Sequence, residues 1–140
     1  MKARLAAGFV IGILLAAGAG AQTRKVQHEN YERYARYAGD PVDEFHYWSM
    51  VQWSLVGPDK VIVWPTIAQA YLVTVEQPCA KLEWARSIGV TSRQPNLLSS
   101  KFDYVTFDND RCRIAEIRPI DYRRMQKDER EAKQAPQKSG

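Results

Sequence analysis

Histidine and cysteine are scarce in this 140-residue chain, with two of each. A Ser–His–Asp arrangement would have to use His46, because His28 sits in a polar leader, and no motif nominates partners for either. There is no C-x-x-C for thiol exchange and no C-x-x-C-H for haem attachment. The two cysteines have no nearby histidine cluster, which argues against zinc. After residue 20 no second long apolar run occurs, and no internal repeat or low-complexity segment is present. No catalytic constellation, cofactor or metal is implied.

What is present begins at the N-terminus. Met1, Lys2 and Arg4 open a short basic segment, Leu5 to Gly20 is apolar, and Ala19-Gly20-Ala21 precedes Gln22. That is the layout of a secretory signal peptide with an A-x-A cleavage site. The run is rich in Ala and Gly and falls short of the roughly 20 strongly apolar residues of a membrane span. An uncleaved signal anchor, helped by Arg24 and Lys25, is the alternative. No cysteine follows the small residues, so a lipoprotein anchor is not expected. The reading is a periplasmic or secreted protein without a stable membrane span after cleavage.

Removing 21 of 140 residues leaves 119, enough for one domain. The segment holds two of the 20 basic residues and none of the 16 acidic ones, so the net charge drops from +4 to +2. So small an excess gives no case for nucleic acid. In an exported chain the isolated pair Cys79 and Cys112, 33 positions apart, reads as one disulfide. The expected organisation is a signal peptide over 1–21, a flexible leader over 22–30, a disulfide-stapled β-rich domain over 31–122, and a charged helix with a disordered tail over 123–140.

Tyr31, Tyr34 and Tyr37 form one aromatic stripe on a short helix that Gly39 and Pro41 stop. His46 to Val56 and Val61 to Trp64 read as strands of a hairpin around Gly57-Pro58-Asp59-Lys60, with Pro65 closing it. Ala70 to Val75 is a third strand, Leu82 to Arg86 a helical turn or two, and Ile88 to Thr91 a short strand. Ser92 to Pro95 is a turn, and Leu97 to Phe107 a strand with Asp103, Val105 and Phe107 on one face. Asp108-Asn109-Asp110 turns the chain into a last strand, Cys112 to Arg118, ended by Pro119. Asp121 caps a final helix from Tyr122. The fold class is α+β, mainly β: a small antiparallel sheet curled into a roll or barrel, flanked by a short N-terminal and a C-terminal helix.

Few residues suggest chemistry. Asp108 to Asp110 lacks the rest of a calcium loop and reads as a hairpin turn. Asp40, Asp43 and Glu44 read as a solvated cluster where the helix ends. Trp48 and Trp53 differ by five and would face opposite sides of one strand. They are the tentative binding surface, weighed against core packing. Arg111, Arg113 and Arg118 read as a solvated edge.

Several blocks carry a resemblance: Tyr34-Ala35-Arg36-Tyr37-Ala38-Gly39 with Pro41-Val42 and Phe45; Ala70 to Val75 with Pro78-Cys79; Ile88 to Ser92; Phe102-Asp103; and Arg111 to Ile114 with Ile117 to Asp121. Together they resemble a domain-of-unknown-function family of short exported proteobacterial proteins, over Tyr31 to Arg130. The resemblance implies a signal peptide, a bridged cysteine pair and a periplasmic setting, and brings no activity or catalytic residue. One departure is the absence of a turn glycine at Gln94-Pro95-Asn96. The expected function is a non-enzymatic periplasmic module that binds an envelope component or a partner protein. The alternative is a small envelope hydrolase using carboxylates such as Asp43, Glu44 or Asp103.

Overall fold

Short runs of β-branched and aromatic residues, punctuated by turn residues, set eight strands between two helices. The computed structural model describes residues 19–135; residues 1–18, with most of the expected signal peptide, and 136–140, with most of the expected tail, lie outside the described residues. In chain order the elements are α1 (Ala19–Ala35), β1 (Glu44–His46), β2 (Gln52–Leu55), β3 (Lys60–Thr66), β4 (Gln69–Val75), a 3-10 turn (Leu82–Trp84), β5 (Gly89–Val90), β6 (Leu97–Ser99), β7 (Tyr104–Phe107), β8 (Asp110–Ile120) and α2 (Tyr122–Gln134).

Six strands form one antiparallel sheet in the order β2-β3-β4-β8-β7-β5, curled into a half-barrel, while β1 and β6 make a separate pair. The expected fold class is therefore the one found. The concave face buries Val61, Val63, Val73, Val75, Val105, Phe107, Ile114 and Ile117, and the β1–β6 pair closes over it with Phe45 and Leu98. Phe45 stacks on Tyr71 of β4 with ring centroids 3.9 Å apart. On the convex face Ile62, Trp64, Ala70, Leu72 and Ile120 meet Tyr34 of α1 and Met125 of α2. Trp64 lies edge-on between Tyr34 and Tyr122, at 5.7 and 6.1 Å. The tyrosine stripe thus packs onto the domain.

The expected hairpin, third strand, short strand at 89–90 and Asp121 cap are all present, the cap accepting from the Arg124 N–H at 3.1 Å. Four boundaries differ. The run His46–Val56 is not one strand: β1 pairs with β6 and β2 with β3, so the parity argument for Trp48 and Trp53 does not apply. Leu97–Phe107 likewise divides, at a turn where Lys101 takes φ 70°. Pro65 and Pro119 lie inside strands. Pro65 falls where β3 and β4 change register, a position that needs no ladder N–H. Pro119 offers its carbonyl to the Gly39 N–H at 2.8 Å, because the 38–42 segment lies along this part of β8. Finally, residues 22–30 are helical. No glycine or proline interrupts 21–35, and Lys25–Glu29 and His28–Glu32 are spaced for i,i+4 pairing.

β8 owes its two-sided burial to a bulge. Val75 pairs with Ile114 and Thr74 with Glu116, leaving Ala115 unopposed. That is why Ile114 and Ile117, an odd number of residues apart, share one core. The turn at 94–97 needs no glycine, because Asn96 itself adopts φ 60°.

Candidate functional site

The helices pack on the convex face over β3 and β4. Over β7 and β8 that face carries a different chemistry. Arg111 and Arg113 are two apart on β8 and so project together. Across the ladder Tyr104 pairs with Arg113 and Thr106 with Arg111. Both guanidiniums lie over the Tyr104 ring, at 4.5 Å for Arg111 and 5.5 Å for Arg113. An Arg113 Nη2–H also donates to the Tyr104 hydroxyl at 2.9 Å, which raises the pKa of the guanidinium further.

Beside this ridge lies a cleft of about 410 Å³, lined by Arg93, Lys101, Phe102, Tyr104, Arg111 and Arg113 together with Thr91. Four cations and no carboxylate line it. Phe102 is 59% exposed, with the Arg93 guanidinium 5.6 Å from its centroid. A second cleft, about 390 Å³, shares Tyr104, Arg111 and Arg113 and runs on to Glu76, Gln77 and Cys112.

Asp103 does not line the first cleft but anchors the segment that carries Thr91 and Arg93. It is 0% exposed, and its Oδ1 accepts from Thr91 Oγ1 (2.9 Å) and the Arg93 N–H (3.1 Å) while Oδ2 accepts from the Ser99 N–H (2.9 Å). The Thr91 hydroxyl in turn accepts from the Tyr104 N–H at 2.8 Å. A buried carboxylate is tolerable when donors surround it in this way. It also fixes the loop that carries Arg93. Gly89 serves the same end of the sheet: a Cβ there would sit 2.8 Å from Thr106 Oγ1.

Cys79 and Cys112 are bonded as expected of the isolated pair, with Cα atoms 6.1 Å apart, tying the loop after β4 to β8. Cys112 lies on the wall of the second cleft. Trp48 stands in the β1–β2 loop, 90% exposed, whereas Trp53 is half-buried against the concave core. Asp43 and Glu44 are exposed and line neither cleft, and Asp103 is fully buried with three donors of its own. His28 and His46 are exposed. Asp108 takes φ 50° in a tight turn joining β7 to β8. Among the described residues no group of three or more His, Cys, Asp or Glu is placed to hold a metal.

A larger cleft, about 630 Å³, opens between α1, the β2–β3 turn and the loop after β4. One of its lining cations, Lys60, is already engaged. Lys60 Nζ lies 3.0 Å from both Asp59 oxygens and over the Tyr31 ring at 5.7 Å.

In the sequence Arg111, Arg113 and Arg118 read as one charged edge. Arg118 separates from the others, since its Nε donates to Glu116 Oε1 at 2.6 Å. The i,i+2 spacing of Arg111 and Arg113 was the available signal. What it lacked was Tyr104 beneath them, which depends on the β7–β8 register.

Among the described residues no helix is long and apolar enough to cross a membrane. That and the disulfide are compatible with an extracellular or periplasmic location. No curated protein and no solved structure matches the chain. A family described as being of unknown function (DUF6491) matches along residues 1–136, and the chain belongs to that family.

Proposed function

We propose that this domain is a non-enzymatic exported binding module, acting in the periplasm on an envelope component, and that it takes an anionic ligand on the convex face at Tyr104. The observation that carries this is the composition of the 410 Å³ cleft: Arg93, Lys101, Arg111 and Arg113 around two aromatic rings, with no lining carboxylate. Guanidinium forks suit carboxylate, sulfate and phosphate groups. Asp103 fixes the backbone at Arg93 and the bond to Tyr104 fixes the Arg113 guanidinium before a ligand arrives, which lowers the ordering cost of binding. Export is supported by the signal-like N-terminus and the bridged cysteines. The exposed Trp48 offers a separate aromatic contact to a partner. The carboxylate-hydrolase reading draws less support, because Asp103 is buried and fully engaged by its own donors.

The test is a titration of the full chain with inorganic pyrophosphate at low ionic strength, followed by amide chemical shifts and by thermal unfolding. Shifts concentrated at 91–93, 101–104 and 111–113, with a raised melting temperature, are expected. An Arg111→Ala, Arg113→Ala double variant should respond to neither. Shifts elsewhere, or an unchanged response in the double variant, would remove the face from consideration.

A further inference from the structure

We infer that the ligand of this face is an acidic oligosaccharide in which charged and neutral units alternate; this rests on the anion-binding reading above. Two adjoining clefts share one ridge, Tyr104 with Arg111 and Arg113, so a ligand longer than one unit would cross it. The sides of the ridge differ. On the first, Arg93 and Lys101 add positive charge. On the second, Glu76 and Gln77 replace them, and the Glu76 carboxylate is close enough to act electrostatically on Arg113.

An anionic group fits the first cleft, where it meets guanidinium forks without a competing carboxylate. A second anionic group on the next unit would face Glu76. A neutral unit bearing hydroxyls and amides would find there a carboxylate acceptor and the Gln77 side-chain NH2 as donor, the Gln77 Oε1 already accepting from the Cys79 N–H. Phe102, largely exposed at the rim, offers a flat apolar surface to the C–H face of a sugar ring. Both cleft volumes lie in the range of small-molecule sites. A single-stranded nucleic acid is disfavoured by the same asymmetry, because it carries a phosphate on every unit and would set one against Glu76. The net charge of +4 also stops well short of a strongly basic nucleic-acid surface.

The experiment is calorimetric titration of the full chain with four probes: a hyaluronan hexasaccharide, in which uronate alternates with a neutral amino sugar; the same hexasaccharide with its carboxyls reduced to alcohols; a hexathymidylate; and inorganic pyrophosphate. The hexasaccharide should bind more tightly than the hexathymidylate, and carboxyl reduction should weaken it by about tenfold or more. Arg113→Ala should cost a similar factor, and Arg111→Gln serves if that variant folds poorly. Glu76→Gln should strengthen hexathymidylate binding more than hexasaccharide binding. Tighter binding of hexathymidylate in the wild type would overturn the glycan assignment in favour of a nucleic acid. Pyrophosphate binding without hexasaccharide binding would overturn the ligand class and leave the anion face standing. Failure of all the anionic probes would overturn both.

Discussion

Arg33 and Glu129 lie 96 positions apart in the sequence and meet in a two-point ion pair that fastens α1 to α2. The guanidinium uses Nε and Nη2 against the two carboxylate oxygens, the second at 2.8 Å, and Tyr37 adds a bond from its hydroxyl to Asp128 at 2.9 Å. Hydrogen bonding to Arg33 holds the Glu129 carboxyl below its ordinary value of 4.5. The folded-state value is the lowered one, so the pair's contribution is complete above the ordinary glutamate range and is lost as pH falls through the folded value. Both side chains are substantially exposed, which limits the coupling to about 0.5–1 kcal/mol at moderate salt. Melting temperature should therefore fall more steeply between about pH 5 and pH 3 in the wild type than in Glu129→Gln. Equal slopes would show that the pair contributes nothing.

The bridge between Cys79 and Cys112 closes a loop of 33 residues. A loop of that length stabilises by roughly 3–4 kcal/mol in the chain-entropy model. Reduction should lower the melting temperature by roughly 10–20 °C for a domain of this size. The protein isolated without reductant should be two hydrogens lighter than its reduced form by mass. Two freely alkylated thiols in that material would contradict the bridge.

Asp103 holds three donors from the 91–99 segment while fully buried. Asp103→Ala strands those donors and should destabilise by about 3 kcal/mol or more, measured by denaturant unfolding. Asp103→Asn keeps one acceptor oxygen and should cost less. It should also disturb the Ser99 amide resonance, since the one remaining oxygen serves Thr91 and Arg93 and the side-chain NH2 then faces the Ser99 N–H. An Asp103→Ala variant as stable as the wild type would disprove the structural role.

The tryptophans should separate cleanly. Trp64 is buried against Tyr34 and Tyr122, and Trp64→Ala should cost about 3–5 kcal/mol. Trp48→Ala should change stability by less than about 0.5 kcal/mol. If Trp48 contacts a partner, a periplasmic pull-down with Trp48→Ala should lose species that the wild type retains. Recovery of the same partners would leave Trp48 without a role.

Export predicts a mature N-terminus at Gln22, which intact mass and N-terminal sequencing of the periplasmic fraction would read. Cleavage there removes only the first three residues of α1, so melting behaviour should match that of the uncleaved chain. A protein retained at full length in the membrane fraction would favour a signal anchor.

Much of the architecture was legible because it is local. Turn chemistry at 57–60 and 108–110 marked the hairpins, Asp121 marked the start of α2, and the tyrosine stripe marked a packed helix. The cysteine pair followed from compartment and count. The basic face was not legible, because it joins residues from three separate segments, 93, 101–104 and 111–113. Their meeting depends on the β7–β8 register and on Asp103, which in the sequence alone looks like one more candidate carboxylate. Trp48 and Trp53 were misjudged as strand neighbours because the pairing of β1 with β6 is long-range. Periodicity within 46–56 carries no trace of it.

Ala115 gives β8 a change of phase. Ahead of it the odd-numbered Arg111 and Arg113 point outward; beyond it the even-numbered Glu116, Arg118 and Ile120 do so. Because Val75 stands opposite Ile114 and Thr74 opposite Glu116, the ladder already skips Ala115. Deleting this residue would leave Ile114 facing in, Glu116 facing out and Ile117 facing in, with every cross-strand partner kept. Ala115 is therefore the spare position of β8: the strand can lose it and straighten while the guanidiniums stay outside and the isoleucines inside.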